Sequence, residues 1–154
     1  AIIGSTCRKE EEMRRMVSVL TAMAVLLVFA GIGQAQDRKG ETPLTIPGVK
    51  ELKAEDLKKM IDKKEKIVVV DSRIASEYKE AHIPGAINIV EKDMEKDKDK
   101  LPKDKSAAVA FYCNGAKCWK SHDAAVKAVA MGYKNVYRLR LGIPEWKDKG
   151  FPTE

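Results

Sequence analysis

Cysteine is scarce in this sequence, and aromatic residues are few. Only three Cys occur among 154 residues, which excludes a framework of several disulfides. Aromatic residues make up 6% of the chain, and they do not alternate with basic residues as they do in nucleic-acid grooves. The sequence also contains no internal repeat. We therefore expect no nucleic-acid partner and no solenoid or disulfide-held architecture.

A strong excess of one charge is missing as well. The formal net charge is +6, and acidic and basic residues are interspersed, as in residues 91–100. Hydrophobic residues make up 44% of the chain. This balance is typical of a globular domain whose charges keep it in solution, and it argues against an extended basic surface.

The N-terminal part of the chain resembles a targeting segment. Residues 1–12 show no pattern and stay unassigned as an N-terminal extension. Residues 13–35 combine a basic start, an apolar stretch and small residues at the end, which predicts a secretory signal peptide cleaved after Ala35. We therefore expect an exported protein, in the bacterial periplasm, with no membrane association after cleavage. The alternative is a membrane anchor, because the uncharged stretch is long enough to span a bilayer if it is not cleaved.

The rest of the chain divides into a short linker and one domain. Residues 36–46 are polar with a glycine and a proline, which predicts a linker; residues 47–154 form the domain. Its apolar runs and helical patterns alternate, which predicts an α/β fold: a doubly wound parallel sheet of about five strands with helices on both faces. The strands are expected at 67–71, 87–89, 107–112 and 132–138, and the helices at 54–62, 75–81, 118–131 and 142–149.

Cys113 lies where a predicted buried strand ends and a tight loop leads into a helix. In an open parallel sheet this edge is where ligands bind. Free N–H groups at a helix start attract negative charge, so we expect a lowered pKa for the Cys113 thiol. Lys117 adds positive charge to the loop, and Gly115 lets the backbone curl. The alternative is an inert cysteine buried at the end of a strand.

Four segments in series resemble the single-domain rhodaneses, the thiosulfate sulfurtransferase-like proteins. The resemblance runs from about Pro47 to Pro152. Each segment is weak alone, but the four occur in the family's order. They are Val-Val-Val-Asp71-Ser-Arg73, His82-Ile-Pro-Gly-Ala86, Tyr-Cys113-Asn-Gly-Ala-Lys-Cys118, and the closing segment from Gly132 to Trp146.

The resemblance implies a rhodanese-like fold and a sulfurtransferase without a cofactor. Cys113 is then the nucleophile that takes a sulfane sulfur from a donor such as thiosulfate and passes it, as a persulfide, to a thiol or to cyanide. The amides of the following residues are expected to bind the sulfur anion. These loop residues are Asn114, Gly115, Ala116, Lys117, Cys118 and Trp119.

Asp71 and Arg73 follow a predicted strand and resemble family residues near the active loop. The resemblance implies that they support the loop. The alternative is an ordinary ion pair on the surface, which contributes little to stability.

Cys118 departs from the family pattern, because relatives often carry Arg, Thr or Ser at the sixth loop position. A second thiol could attack a persulfide or form a disulfide with Cys113 in an oxidising compartment. This leaves two further functions open: a dithiol–disulfide redox protein with a redox partner protein, and a binding module without catalysis. The alternative for Cys118 itself is a small residue that faces inward at the helix start.

Two other site chemistries are disfavoured. Phosphatases of this fold close a longer loop with Arg, and Trp119 stands at that position here, so the bidentate grip on phosphate is missing. Cys113, Cys118 and His122 do not have a standard zinc spacing, and no fourth ligand is near them in the sequence. We therefore expect no metal.

Overall fold

The structure is a computed structural model that describes residues 38–154. The N-terminal extension and the signal peptide expected from the sequence, residues 1–35, lie outside the described residues. Within 38–154, no helix combines the length and the apolar character that crossing a membrane requires.

Within the described residues, five parallel strands form a single sheet in the order β1-β5-β4-β2-β3. Strands β2 and β4 are largely apolar runs, as expected for strands that are covered on both faces. The strands are β1 (Val49–Glu51), β2 (Ile67–Asp71), β3 (Ile87–Asn88), β4 (Ala108–Tyr112) and β5 (Asn135–Leu139).

Helices connect the strands and confirm the predicted α/β architecture. They are α1 (Ala54–Asp62), α2 (Ala75–Glu80), α3 (Lys120–Ala130) and α4 (Gly142–Asp148), with 3-10 turns at Glu91–Asp93 and Lys98–Lys100. The predicted number of about five strands is confirmed, but the sequence pattern located only four of them and indicated none before residue 67. Strand β1 is only three residues long and two of them are exposed, so its identity depends on pairing with β5 rather than on a local pattern.

Two hydrophobic cores lie on opposite faces of the sheet. On one face, Leu57 of α1 and Trp146 of α4 are fully buried against the sheet. On the other face, the alanines of α3 pack on Phe111 and Val136. Small residues on α3 let this helix approach the sheet closely, which brings its N-terminus near the carboxyl end of β4.

The carboxyl ends of the three central strands lie in register. Asp71 pairs with Tyr112, and Tyr112 with Leu139. The residues that follow β2, β4 and β5 therefore meet at one edge of the sheet, which is the edge where parallel α/β domains bind ligands.

Candidate active site

The loop of residues 113–119 connects β4 to α3 and forms the centre of the site. It curls tightly, because Gly115 has a φ of +114°, a conformation that favours glycine. The amide of Cys118 donates to the Gly115 carbonyl at 3.0 Å. The helix begins at Lys120, two residues later than the sequence predicts, because the turn takes up Cys118 and Trp119.

Gly142, at the start of α4, fixes the beginning of this loop. Its φ is +64°, and a Cβ at this position would lie 2.0 Å from the Cys113 carbonyl oxygen. The next amide, of Ile143, donates to that same oxygen at 3.0 Å. A side chain cannot be accommodated here unless the backbone of the loop moves.

The Cys113 side chain points under the loop toward the first turn of α3. Its Sγ lies 3.1 Å from Ser121 Oγ and 3.2 Å from the Cys118 carbonyl oxygen. The whole residue is buried, with 0% of its surface exposed. Cys118 is partly exposed, and both cysteines are free thiols.

The two cysteines lie close together, and each thiol shifts the pKa of the other. The hydrogen bond from Cys113 lowers the pKa of Cys118 to about 6, against the cost of burial, and the backbone N–H groups of Asn114 and Lys120 act in the same direction. The same contact and burial raise the pKa of Cys113. The sequence-based expectation of a lowered pKa at Cys113 is therefore wrong, because the neighbouring Cys118 and burial outweigh the donors of Ser121.

The remaining predicted loop residues contact neighbouring elements or solvent rather than the Cys113 thiol. Asn114 donates a side-chain hydrogen bond to Glu77 of α2, and Lys117 is exposed. Ala116 accepts two hydrogen bonds through its carbonyl, both from Thr42. Trp119 packs edge-on against His122 with 4.9 Å between ring centroids.

Asp71 and Arg73 form a buried ion pair beside the loop, so the alternative of a surface pair is wrong. Arg73 Nη2 lies 2.6 Å from Asp71 Oδ2, and their side chains are 6% and 0% exposed. Arg73 also donates to the Ala81 carbonyl at 2.7 Å, and its guanidinium lies over the Tyr112 ring at 5.7 Å. The pair therefore fixes the residue that precedes Cys113, without reaching the thiols through any hydrogen bond seen among residues 38–154.

Several side chains of the site were not identified from the sequence. Ser121 shares the helical spacing of Ala124 and Ala128 and lies with them on the buried face of α3. A polar residue in phase with these alanines was a usable signal. Glu77 and Thr42 contact the loop from distant parts of the chain, and no local pattern marks them. Arg138 interrupts the apolar pattern of β5 while being only 2% exposed; a charged residue in a buried strand was the available signal.

No metal site is formed by the described part of the chain. Within residues 38–154, no group of three or more His, Cys, Asp or Glu side chains lies close enough to hold an ion. His122 Nδ1 instead lies 2.9 Å from Asp123 Oδ1.

This geometry defines a class of protein, the parallel α/β domains with a cysteine-containing loop at the carboxyl edge of the sheet. Residues 53–149 match the family model of the rhodanese-like domain. The chain therefore belongs to the rhodanese-like family, which includes sulfurtransferases.

Known proteins share this domain in different settings. The chain is 33% identical over 85 residues to the thiosulfate sulfurtransferase GlpE of Coxiella burnetii, covering 55% of this chain and 76% of that protein. It is 36% identical over 88 residues to the HTH-type transcriptional regulator Rv0324 of Mycobacterium tuberculosis, covering 57% of this chain but 38% of the regulator. Among solved structures, the BH2092 protein of Bacillus halodurans has a TM-score of 0.63 and 36% identity, covering 68% of this chain and 76% of that one.

The chain spans only part of some relatives. Besides the 38% of the mycobacterial regulator, it covers 57% of the Bacillus subtilis protein YrkF. The activities and partners of those whole proteins therefore do not pass to this chain by similarity.

Proposed function

We propose that this protein is a sulfurtransferase that moves a sulfane sulfur from a donor such as thiosulfate to a thiol acceptor or to cyanide. The observation that carries the proposal is the position of Cys113, between the end of β4 and the N-terminal turn of α3, with its Sγ 3.1 Å from Ser121 Oγ. A persulfide formed there is an anion facing N–H and O–H donors, which stabilise negative charge. The name of the Coxiella burnetii relative agrees with this reaction.

The reaction proceeds in two displacements. The Cys113 thiolate attacks the sulfane sulfur of thiosulfate, the sulfur–sulfur bond breaks, and sulfite leaves with the electron pair. A thiolate or cyanide then attacks the outer sulfur of the persulfide and regenerates the Cys113 thiolate. This is covalent catalysis with a ping-pong order of substrates.

Ser121 supports the first displacement. Its side chain and its backbone N–H lower the pKa of Cys113 against the effect of burial. These two groups therefore stabilise the thiolate that attacks the donor.

Cyanide-dependent turnover tests the proposal. With thiosulfate and cyanide, the reduced protein should release thiocyanate and give parallel double-reciprocal plots. Cys113→Ser should reduce the rate by about three orders of magnitude or more, because it removes the nucleophile. Cys118→Ser, matched in size and chemistry, should retain turnover. If neither thiocyanate nor a persulfide forms with several sulfur donors while Cys113 is reduced and accessible, the proposal is wrong.

A second candidate function is dithiol–disulfide exchange with a redox partner protein. The observation that favours it is the proximity of two free cysteines, since Cys113 Sγ lies 3.2 Å from the Cys118 carbonyl oxygen. It predicts a reversible disulfide with a defined reduction potential, and complete loss of function in Cys118→Ser. Retained sulfur transfer in that variant, with no redox partner, would exclude it.

The proposed location is the bacterial periplasm, reached with the signal peptide of residues 13–35. The alternative is attachment to the membrane through an uncleaved signal. Expression of the full chain with its own N-terminus distinguishes them, because export with cleavage gives a released protein that begins at Gln36. A membrane-bound product of full length would support the anchor.

A further inference from the structure

The segment of residues 38–43, which we call the strap, crosses the active-site loop. Its composition predicts a linker, but Thr42 is only 3% exposed. The Thr42 amide and hydroxyl both donate to the Ala116 carbonyl, at 2.8 and 2.9 Å. At the other end, Arg38 pairs with Asp123 at 2.8 Å and lies over the Trp119 ring at 4.6 Å. The strap is therefore attached at two points to the loop that covers Cys113 and to the helix that follows it.

Two arginines at the end of β5 donate hydrogen bonds to the strap. Arg138 Nη2 donates to the Pro43 carbonyl at 2.6 Å. Arg140 Nε donates to the Thr42 carbonyl at 3.3 Å, and its Nη2 to Glu41 Oε2 at 2.6 Å. Arg138 and Phe111 are register partners on adjacent strands, so Arg138 lies on the sheet face toward which Cys113 also points.

This arginine pair carries more positive charge than its partners neutralise. Arg138 is 2% exposed, and its Nη1 is buried without a hydrogen-bond partner among residues 38–154. Burial and the neighbouring Arg140 lower the pKa of Arg138, whereas negative charge on Glu51 or Cys113 opposes this shift. Arg138 is therefore within electrostatic reach of the reactive cysteine. Glu41 is the carboxylate that contacts the pair, and its side chain is 59% exposed.

We propose that Arg138 and Arg140 form a binding site for a small oxyanion, that Glu41 occupies this site in the closed molecule, and that an oxyanion which replaces Glu41 releases the strap and opens the path to Cys113. The inference rests on the proposed function in one respect, which is that the natural oxyanion is the sulfur donor, a thiosulfate-like dianion.

The replacement of Glu41 by an oxyanion fits the arrangement of the two arginines. Glu41 reaches one nitrogen of Arg140 and leaves Arg138 Nη1 unpartnered, whereas a tetrahedral dianion presents several oxygens and can accept from both guanidinium groups. Gly40 adjoins Glu41 with a φ of +105°, and a Cβ added there would meet no atom within 4 Å, so the chain can turn at this residue without disturbing packing. The buried Thr42 leaves with the strap, and the Ala116 carbonyl of the loop loses both its hydrogen bonds.

Sulfate is the probe, because it has the charge and shape of the donor but no transferable sulfur. The full chain carrying Cys118→Ser is treated with iodoacetamide, a neutral reagent, in sulfate or in chloride at equal ionic strength, and peptide mass spectrometry follows alkylation of Cys113. Glu41→Gln and Arg140→Gln are compared with Glu51→Gln, a control that removes a nearby carboxylate making no hydrogen bond or ion pair with the strap in the described residues.

Sulfate should accelerate alkylation of Cys113 about tenfold, the factor that corresponds to one charge-assisted hydrogen bond. In Glu41→Gln without sulfate, Cys113 should be alkylated about as fast as in the parent with sulfate. Arg140→Gln should lose the sulfate response, and Glu51→Gln should behave like the parent. The proposal is overturned if sulfate has no effect or protects Cys113, or if Glu51→Gln opens the site as much as Glu41→Gln. Because Glu41 is exposed, Glu41→Gln should fold normally, so this variant is decisive even if Arg140→Gln is unstable.

The two proposals can fail separately. A protein that forms no persulfide with any donor can still show sulfate-dependent opening, which would refute the sulfur-transfer function alone. A protein that transfers sulfur but shows no sulfate-dependent opening would refute the oxyanion site alone.

Discussion

The edge of the sheet that carries Cys113 has two flanks, and they hold buried arginines in different ways. On the β2 flank, Arg73 is paired with Asp71, and the two side chains are 6% and 0% exposed. On the β5 flank, Arg138 and Arg140 are held by carbonyls of the strap and by the exposed Glu41. The first arrangement is complete within residues 71–81, whereas the second depends on a segment about a hundred residues earlier in the chain.

The difference indicates which flank is fixed and which can exchange partners. Removing one partner of a fully buried pair leaves an uncompensated charge, which is costly. Removing an exposed partner costs little, because water replaces it. The β2 flank is therefore a support of the site, and the β5 flank can release the strap. Four substitutions test this contrast.

The largest effect is expected for Asp71→Asn. The variant leaves the Arg73 charge buried without a carboxylate, so the free energy of unfolding should fall by about 3–5 kcal/mol. Urea denaturation followed by circular dichroism measures this. A loss below about 1 kcal/mol would mean that the pair behaves like an exposed one, and the contrast between the flanks would disappear.

Gly142→Ala should have the next largest effect. On the β5 flank the side chains can exchange partners, but the backbone of Gly142 is fixed against the Cys113 carbonyl. A Cβ here meets the Cys113 carbonyl at 2.0 Å, and we expect a loss of about 2–3 kcal/mol from the clash and the positive φ together. Gly85→Ala is the matched control: its φ is +74° with nothing within 4 Å, so it should lose only about 1 kcal/mol. Equal losses in the two variants would show that the clash is relieved at no cost.

The third test concerns the cysteine pair between the flanks. Alkylation of Cys118 should increase with pH through an inflection near its pKa of about 6. Cys113→Ala removes a hydrogen bond that favours the thiolate, so this inflection should move upward by about one pH unit. Ser121→Ala, which keeps both cysteines and removes a side chain that does not contribute to the shift at Cys118, is the control and should keep the inflection. An inflection above about pH 8, near the value of a free thiol, would contradict the assignment of the first thiolate to Cys118.

Glu41→Gln should have the smallest effect on stability. The Glu41 side chain is 59% exposed, so we expect a loss of at most about 1.5 kcal/mol in the same urea experiment, which is consistent with an approximately tenfold easier opening of the strap. A loss as large as that of Asp71→Asn would show that the strap is a structural part of the domain and that the two flanks are equivalent.

Local patterns predicted most of the fold and the centre of the site. The apolar runs that became β2 and β4 and the spacing of the α3 alanines needed no tertiary information, because strands buried on both faces and amphipathic helices have distinct periods. The position of Cys113 between β4 and α3 followed from them. Strand β1 did not, because Val49–Glu51 is short and mostly exposed.

What the sequence did not predict depends on contacts between distant residues. The strap has the polar, proline-containing composition of a linker, and its anchors Arg138 and Arg140 are far away in the chain. The ionisation of Cys113 also depends on a neighbour, since Cys118 takes the amide donors that the sequence assigned to Cys113. Local charge patterns suggest a lowered pKa, but which thiol receives it is decided by side-chain packing.

The most direct test of sulfur transfer through Cys113 is the location of the first transferred sulfur. The reduced protein is incubated with thiosulfate, free thiols and persulfides are labelled distinguishably, and each cysteine-containing peptide is weighed. We predict an added mass of about 32 Da, one sulfur atom, on the peptide at Cys113, and none in Cys113→Ser. Sulfur found only on Cys118, or on neither cysteine while Cys113 is reduced and reactive toward iodoacetamide, would contradict this mechanism.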